Sequence, residues 1–224
     1  MTELQGRVVL VIGATGGLGS RLSVLLEAAG ATVARACRRE AAGYLPGDLR
    51  EAGAAASIVR SVIEQHGRLD GIVIAAGVVA FGPMADVSDA ALTELFEVNA
   101  LGPIRLIREA TPYLAASAAT GGEPFIVTLS GIVSEAPTAG LAAYSAAKAA
   151  LAAFTVAATR ELRKSSIRLV DARPGHTETA LSEHPIEGVA PAFPPGHSPD
   201  AVAARILQAI TGDEKDLPSS AFGD

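Results

Sequence analysis

The sequence of 224 residues contains a single cysteine, Cys37, so no disulfide can form within the chain. Its four histidines show no spacing typical of metal ligands. No apolar stretch reaches the roughly 18 residues that suggest a membrane span, and the first residues lack a charged segment followed by a long apolar one. These absences predict a cytoplasmic protein with no metal site and no membrane contact.

Charge of either sign is sparse and is not clustered. Charged residues make up 19% of the chain and the formal net charge is −6. Nucleic acids and anionic membranes are bound by clustered Lys and Arg, so we expect neither as a partner. A hydrophobic content of 49% over this length is ample for one well-buried domain and short for two. We therefore expect residues 1–224 to form a single domain.

Short apolar, β-branched runs alternate along the chain with longer Ala- and Leu-rich amphipathic segments. Strands are predicted at 7–12, 31–36, 44–46, 70–75, 124–129 and 167–172. Helices are predicted near 17–29, 50–66, 88–97, 101–118, 144–164 and 199–211. Strong apolar strands without polar alternation are typical of a parallel sheet that is covered on both faces. The repeated strand–helix–strand order predicts a doubly wound, Rossmann-like α/β fold.

A glycine-rich turn, "GATGGLGS", separates the first predicted strand from the first long helix. Glycine there lets the backbone turn tightly and approach a pyrophosphate, whose charge the amino terminus of the helix favours. The candidate phosphate-binding residues of this turn are Gly13, Thr15, Gly16, Gly17, Leu18 and Gly19.

The glycine spacing, G-x-x-x-G-x-G, resembles that of the short-chain dehydrogenase/reductase family. Five further stretches are similar to family motifs, in the family's order: "GDL" at 47–49, "AAG" at 75–77, "NALG" at 99–102, "YSAAK" at 144–148 and "RPGHTET" at 173–179. The resemblance implies further cofactor contacts from Asp48, Leu49, Ala76, Gly77, Pro174, Gly175, Thr177 and Thr179. In the family, the aspartate contacts the adenine and the last threonine reaches the nicotinamide carboxamide.

The end of the second predicted strand carries Arg38 and Arg39 and no acidic residue. An acidic residue at this turn hydrogen-bonds a ribose 2′-hydroxyl, whereas arginine accommodates a 2′-phosphate. The turn therefore favours NADP over NAD. NAD would bind about equally well if both arginines were only solvated.

Tyr144 and Lys148 are four residues apart, so on a helix they share one face. Ketone reduction needs a proton at the developing alkoxide, and a tyrosine hydroxyl can deliver it, although its unperturbed pKa is about 10. A nearby cation favours the phenolate, and Lys148 supplies that charge. The resemblance implies that Lys148 also binds the cofactor ribose and that Asn99 holds a water in a proton relay. The expected reaction is hydride transfer between NADP(H) and a small or medium carbonyl or alcohol substrate.

The family pattern places a serine thirteen residues before the tyrosine, where its hydroxyl polarises the carbonyl. In this chain that position is Gly131, and Ser130 comes one residue earlier. Because successive strand residues point to opposite faces, the offset matters if the strand persists that far. A loop longer by one residue would return Ser130, the candidate carbonyl donor, to register. Otherwise Ser134 could turn in, or no serine acts and Tyr144 or the N–H of Gly131 polarises the carbonyl.

Residues 175–198 follow the last strong strand, are rich in Pro, Gly and His, and are expected to form a substrate loop. The short chain between the second strand and Asp48 predicts that the helix usually found there is missing. Pro218 makes the carboxyl terminus a poor last strand. The resemblance implies a homotetramer or homodimer built on the helix that carries Tyr144.

Two other functions stay open. The offset serine motivates a dinucleotide-binding sensor that keeps the fold with little or no turnover. Enoyl reduction also uses a Tyr–Lys pair without that serine, but with a wider spacing than the one found here.

Overall fold

The computed structural model describes residues 2–212 and 214–223. These residues form one sheet of six parallel strands in the order β3-β2-β1-β4-β5-β6. The strands are β1 Val8–Ile12, β2 Thr32–Cys37, β3 Leu45–Pro46, β4 Gly71–Ile74, β5 Phe125–Leu129 and β6 Arg168–Ala172. The described residues also form six α-helices: α1 Gly17–Ala28, α2 Ala54–His66, α3 Asp89–Phe96, α4 Gly102–Ala119, α5 Ala142–Leu162 and α6 Pro199–Thr211.

Alternate side chains of the central strand β1 enter two separate cores. Val8, Leu10 and Ile12 pack with side chains of α2, α4 and the end of α5. Val9 and Val11 pack with side chains of α1 and α6 on the opposite face. The sheet is thus covered on both faces, and the predicted doubly wound α/β fold is confirmed.

The chain passes from β2 to β3 through residues 38–44, all of which the structure describes, without forming a helix. The predicted missing helix is therefore confirmed. Near the carboxyl terminus, Leu217 makes a single parallel bridge to Ala172, and Ser219–Phe222 form a 3₁₀ turn. Because Pro218 lacks a backbone N–H, it cannot extend that bridge into a strand.

Helical backbone is continuous from α3 to α4, where the sequence predicted two separate helices. The connection is a π-helical turn, Glu97–Leu101, which contains Asn99. Such turns are frequent at functional sites. The loop 175–198 joins β6 to α6 without a strand or helix of its own; its isolated bridges are Thr177 to His197 and Glu187 to Ala80.

Candidate active site

The glycine-rich turn leaves the carboxyl end of β1, where the loops of a parallel sheet bind ligands. The N–H groups of Gly13 and Ala14 both donate to the carbonyl of Ala36 in β2, at 3.0 and 3.1 Å. A Cβ at Gly19 would overlap the carbonyl oxygen of Gly13, so only glycine allows α1 to start this close to the turn. The turn is thus held by β2 on one side and by α1 on the other.

The amino terminus of α1 fits an anionic group. No side chain caps the helix at Gly16, and no acidic residue stands in its first turn. The helix dipole and the first N–H groups therefore favour a phosphate there. Thr179, from the loop 175–198, lies against Gly17, where a Cβ would come within 2.6 Å of the threonine methyl carbon. Of the predicted contacts in this turn, Thr15 and Gly16 are exposed.

Arg38 and Arg39 follow β2 with exposed side chains, while Asp48 follows β3. The guanidinium of Arg50 forks onto the Asp48 carboxylate, with contacts of 2.5 to 3.0 Å. This hydrogen bond, above all, holds the pKa of Asp48 below its ordinary value, and the charge of Arg38 acts in the same direction. The residue predicted to contact adenine is therefore already paired. Leu49 is buried against Gly102.

Gly77, Asn99 and Lys148 meet beyond the end of β4. A Cβ at Gly77 would lie 3.1 Å from Asn99 Oδ1 and 3.6 Å from Lys148 Nζ. Asn99 is fully buried; its amide nitrogen donates to the carbonyl of Val78 at 2.9 Å, and its Oδ1 accepts from the N–H of Val78 at 3.2 Å. The asparagine side chain thus fastens the segment after β4 beside the lysine. Its relay role stays a prediction.

Tyr144 and Lys148 lie on one face of α5, with Nζ 5.7 Å from the centre of the tyrosine ring. Nζ donates to the carbonyl of Leu129, at the end of β5, at 2.7 Å. Burial raises the pKa of Tyr144 to about 12. Burial also lowers the pKa of Lys148 to about 8, against the opposing charge of Asp171. The lowered tyrosine pKa expected from the lysine is not found, because burial of the phenol is the dominant effect.

The hydroxyls of Ser130 and Ser134 both donate to groups of the protein itself. Ser130 is fully buried and donates through Oγ to Asp171 Oδ2 at 2.5 Å. Ser134 Oγ donates to the carbonyl of Gly131 at 2.7 Å. The N–H of Gly131, the third candidate donor, is bonded to the carbonyl of Ala172 at 3.3 Å. The structure therefore gives none of the three a free donor for a carbonyl.

Gly131 itself adopts φ = +73° and ψ = 165°, which L side chains rarely adopt. A Cβ there would have one atom within 4 Å apart from its chain neighbours, the carbonyl oxygen of Pro174 at 3.8 Å. The position that carries a serine in the family pattern thus borders open space and has a backbone suited to glycine.

The loop 175–198 packs over Tyr144. Phe193 stacks on His176 with ring centres 4.5 Å apart and lies 5.9 Å from Phe81. One apolar cluster joins this loop to the tyrosine ring: Val79, Phe81, Leu141, Val133, Tyr144, Ala190 and Phe193. This packing partly buries Tyr144 and accounts for the raised pKa of its phenol. Within the loop, Thr177 donates to the carbonyl of Gly175 at 3.0 Å.

Asp171 is the residue of this site that the sequence reasoning did not single out. It is 5% exposed, within β6, and its charge reaches Lys148. The available signal was a carboxylate among the apolar residues Leu169, Val170 and Ala172 of one strand, because such groups are rarely buried without partners.

Among the described residues, no group of three His, Cys, Asp or Glu side chains is arranged to hold a metal ion. None of the helices in residues 2–212 and 214–223 is long and apolar enough to cross a membrane.

Known proteins share both the sequence pattern and the fold. Residues 7–188 match the family described as short chain dehydrogenase. A "dehydrogenase/reductase SDR family protein 7-like" of Anopheles gambiae is 30% identical, covering 96% of this chain and 75% of that protein. The "2,3-dihydro-2,3-dihydroxybenzoate dehydrogenase" of Bacillus subtilis is 28% identical, and the match covers 80% of this chain and 72% of the Bacillus protein.

Among solved structures, the 3-ketoacyl-(acyl-carrier-protein) reductase of Brucella melitensis, complexed with NADH, superposes with a TM-score of 0.84. It is 20% identical, and the superposition covers 98% of this chain and 99% of the other. This likeness agrees with the six-stranded parallel sheet. The family match over residues 7–188 and the 30% identity to the Anopheles gambiae protein lead to one conclusion: the chain belongs to the short-chain dehydrogenase/reductase family of oxidoreductases.

Proposed function

We propose that this protein transfers a hydride between a nicotinamide cofactor and a carbonyl or alcohol substrate, with Tyr144 and Lys148 as its acid/base pair. The observation that carries the proposal is the position of Lys148 Nζ, 5.7 Å from the centre of the Tyr144 ring and beside Gly77 and Asn99. When bound, the cofactor supplies or accepts the hydride.

The protonation states suit reduction. A phenol whose pKa is raised to about 12 by burial is protonated at neutral pH, and this is the form that donates a proton to a developing alkoxide. Lys148, whose pKa is lowered to about 8, is still mostly an ammonium at pH 7. Its charge stabilises negative charge on the phenolic oxygen after the proton has left. With Ser130 and Ser134 bonded elsewhere, we assign the polarisation of the carbonyl to Tyr144 alone.

We assign the cofactor phosphates to the amino terminus of α1 and the 2′-phosphate of NADP to Arg38 and Arg39. The exposed arginines support this assignment, because the residues that end β2, Ala36 and Cys37, are not acidic and Asp48 is paired with Arg50. Thr179 against Gly17 brings the loop 175–198 beside the glycine turn, which supports a cofactor that contacts both segments.

The side chains around Tyr144 support a moderately apolar substrate. Phe81, Leu141 and Phe193 belong to the same apolar cluster as the ring, and Phe193 comes from the loop 175–198. Open space beside Gly131 favours a carbonyl with a substituent that a serine side chain would exclude.

The test is oxidation of NADPH, and separately of NADH, with a panel of apolar and ionised ketones, for the wild type and for Tyr144→Phe. We expect turnover with NADPH and apolar ketones, and a loss of about 10²–10⁴-fold in kcat for the variant, the usual contribution of a general acid. Dissociation constants for NADPH and melting temperatures should be equal in both proteins. Turnover that survives in Tyr144→Phe would contradict the proposal.

A dinucleotide-binding sensor is the second candidate, favoured by the engaged hydroxyls of Ser130 and Ser134 and the glycine at 131. One preorganised donor contributes on the order of 10²–10³ to a rate. The sensor would be supported by a protein that binds NADPH tightly but shows no ketone-dependent turnover, or only turnover that Tyr144→Phe does not reduce.

We also propose a homodimer or homotetramer that buries α4 and α5. Tyr113 on α4 and Val156 on α5 are 38% and 60% exposed. Val24 on α1 is 62% exposed and serves as a matched control. Sedimentation should show smaller particles for Val156→Glu and unchanged particles for Val24→Glu.

A further inference from the structure

Asp171 is a buried carboxylate on the same sheet face as α5. Along β6, Leu169 packs in the core that includes α5, and Asp171, two residues on, points to that face as well. A buried charge must be paired or hydrogen-bonded to persist, so its partners define its role.

Three groups at the end of β5 bind this carboxylate. Thr128 Oγ1 donates to Asp171 Oδ1 at 2.7 Å, Ser130 Oγ donates to Oδ2 at 2.5 Å, and the N–H of Ser130 lies 3.3 Å from Oδ1. Leu129, between the two, accepts from Lys148 Nζ through its carbonyl at 2.7 Å. One three-residue segment therefore holds both the aspartate and the lysine.

The other polar neighbours of Lys148 carry no charge at neutral pH. Tyr144 comes from α5 itself, and Asn99 comes from the turn before α4. Burial disfavours the ammonium, and the field of Asp171 opposes that effect.

Arg173 is the cation nearest to the aspartate, with NH1 3.3 Å from Asp171 Oδ2. The same guanidinium also pairs with Glu135 and, at 2.8 Å, with the exposed Asp216. Two other carboxylates therefore share its charge, and the charge of Asp171 still acts on Lys148.

We propose that Asp171 is a positioning residue for Lys148: its carboxylate favours the ammonium form and fixes the strand end whose carbonyl holds Nζ. The proposal deepens the proposed function, on which its catalytic consequence rests.

The direct test is the titration of Lys148 itself, followed by NMR on protein labelled with [ε-¹³C]lysine. The chain has only three lysines, and Lys164 and Lys215 are exposed internal references. In Asp171→Asn we expect the Lys148 midpoint to fall by about one unit, as for loss of a nearby opposite charge, while both reference signals stay unchanged.

Two matched variants separate charge from structure. Asp216→Asn removes another partner of Arg173, and Ser130→Ala removes a hydrogen bond but leaves the carboxylate. Ser130→Ala should leave the Lys148 midpoint unchanged. Asp216→Asn should lower it by much less than Asp171→Asn does, because it only leaves more of the Arg173 charge to Asp171. Asp171→Glu should largely restore it. Asp171→Ser is a second neutral variant in case Asp171→Asn does not fold.

An unchanged midpoint in the neutral variants, or an equal fall in Asp216→Asn, would overturn the proposal. Unfolding of both neutral variants would assign Asp171 to stability alone and would overturn it too.

Turnover gives the second readout. A lower lysine pKa moves the basic limb of kcat to lower pH, so Asp171→Asn should lose about fivefold at pH 8 and little at pH 6. If the protein does not turn over at all, the proposed function fails while the NMR titration still decides the role of Asp171.

Discussion

Asp70 and Asp171 are buried aspartates at opposite edges of the sheet, 3% and 5% exposed, and they are bound in almost the same way. Asp70 stands just before β4, at the amino edge, and accepts from the N–H of Val8 at 2.9 Å and from Ser117 Oγ at 2.5 Å. Asp171, near the carboxyl edge, likewise accepts from a backbone N–H and a serine hydroxyl, both of Ser130.

The two aspartates differ in what lies beside them. Arg68 forks onto Asp70 at 2.7 and 2.8 Å, and Arg7 lies 3.7 Å away. Burial raises the pKa of Asp70, but hydrogen bonds from Arg68, Ser117 and Val8 outweigh it, so this pKa lies below its ordinary value. Asp171 has one arginine contact, Nη1 of Arg173 at 3.3 Å, and its charge also acts on Lys148. The two similarly bound carboxylates therefore differ in role. Asp70 stabilises the contact between elements at the amino edge, whereas Asp171 acts on the candidate active site at the carboxyl edge, where the loops of parallel strands bind ligands.

The largest effect is expected for Asp70→Ala. The change leaves the N–H of Val8 and the hydroxyl of Ser117 buried without an acceptor, each at a cost of about 1–3 kcal/mol. We expect the free energy of unfolding to fall by roughly 2–6 kcal/mol, measured by urea denaturation. The pH profile of kcat should stay that of the wild type. A shift of the basic limb of the kcat–pH profile in Asp70→Ala would show that Asp70 also affects the active site, and it would contradict the distinction between the two aspartates.

Ser117→Ala and Ser130→Ala make the matched comparison. Each removes a hydroxyl that donates to a buried carboxylate, and such hydrogen bonds contribute about 1.5–3 kcal/mol. Both variants should lose a similar amount of unfolding free energy. Normal turnover by Ser130→Ala would also show that its hydroxyl does not polarise the carbonyl, whereas a loss of 10²-fold or more would reinstate it as a donor.

Gly131→Ser probes the backbone of the carboxyl edge. Because φ is +73° there, the serine should destabilise the fold by about 1–3 kcal/mol, measured by thermal or urea unfolding. The control is Gly43→Ser. Gly43 is exposed, has φ = +80° and has no atom within 4 Å of a Cβ built there, so this variant measures backbone strain away from the candidate site. A serine variant as stable as the wild type would show that the loop after β5 relaxes.

The smallest effect is expected for Arg68→Gln, since Arg68 is 44% exposed and exposed pairs contribute about 0.2–1 kcal/mol. The depressed pKa of Asp70 contributes stability that is present above its unfolded value near 3.9 and is lost as the pH falls through its folded value. The difference in unfolding free energy between wild type and variant should therefore be full near pH 6 and shrink below about pH 4. A difference that does not depend on pH would rule out this ion pair as its source.

Local sequence was sufficient for the strands and for part of the site. The apolar β-branched runs lie within one or two residues of the observed strands, and Tyr144 and Lys148 share a face of α5 as their spacing requires. The direction of the Ser130 hydroxyl could not be predicted from the local sequence. It depends on Asp171, 41 residues away in sequence, which pattern and periodicity cannot bring into contact.

The π-helical turn at Glu97–Leu101 is a second feature that the local sequence did not predict. Asn99 was identified from its motif, but a pattern read residue by residue gave two helices with a break between them. Only the contact of its side chain with Val78 shows how that turn is tied to the segment after β4.

By itself the sequence determined the alternation of strands and helices, the glycine turn and the shared helix face, because these follow from local sterics and hydrophobic periodicity. Tertiary structure alone decided which hydroxyls are free, how deeply the phenol is buried, and which carboxylate faces Lys148. Those properties depend on desolvation and on partners far apart in the chain, and only packing sets them.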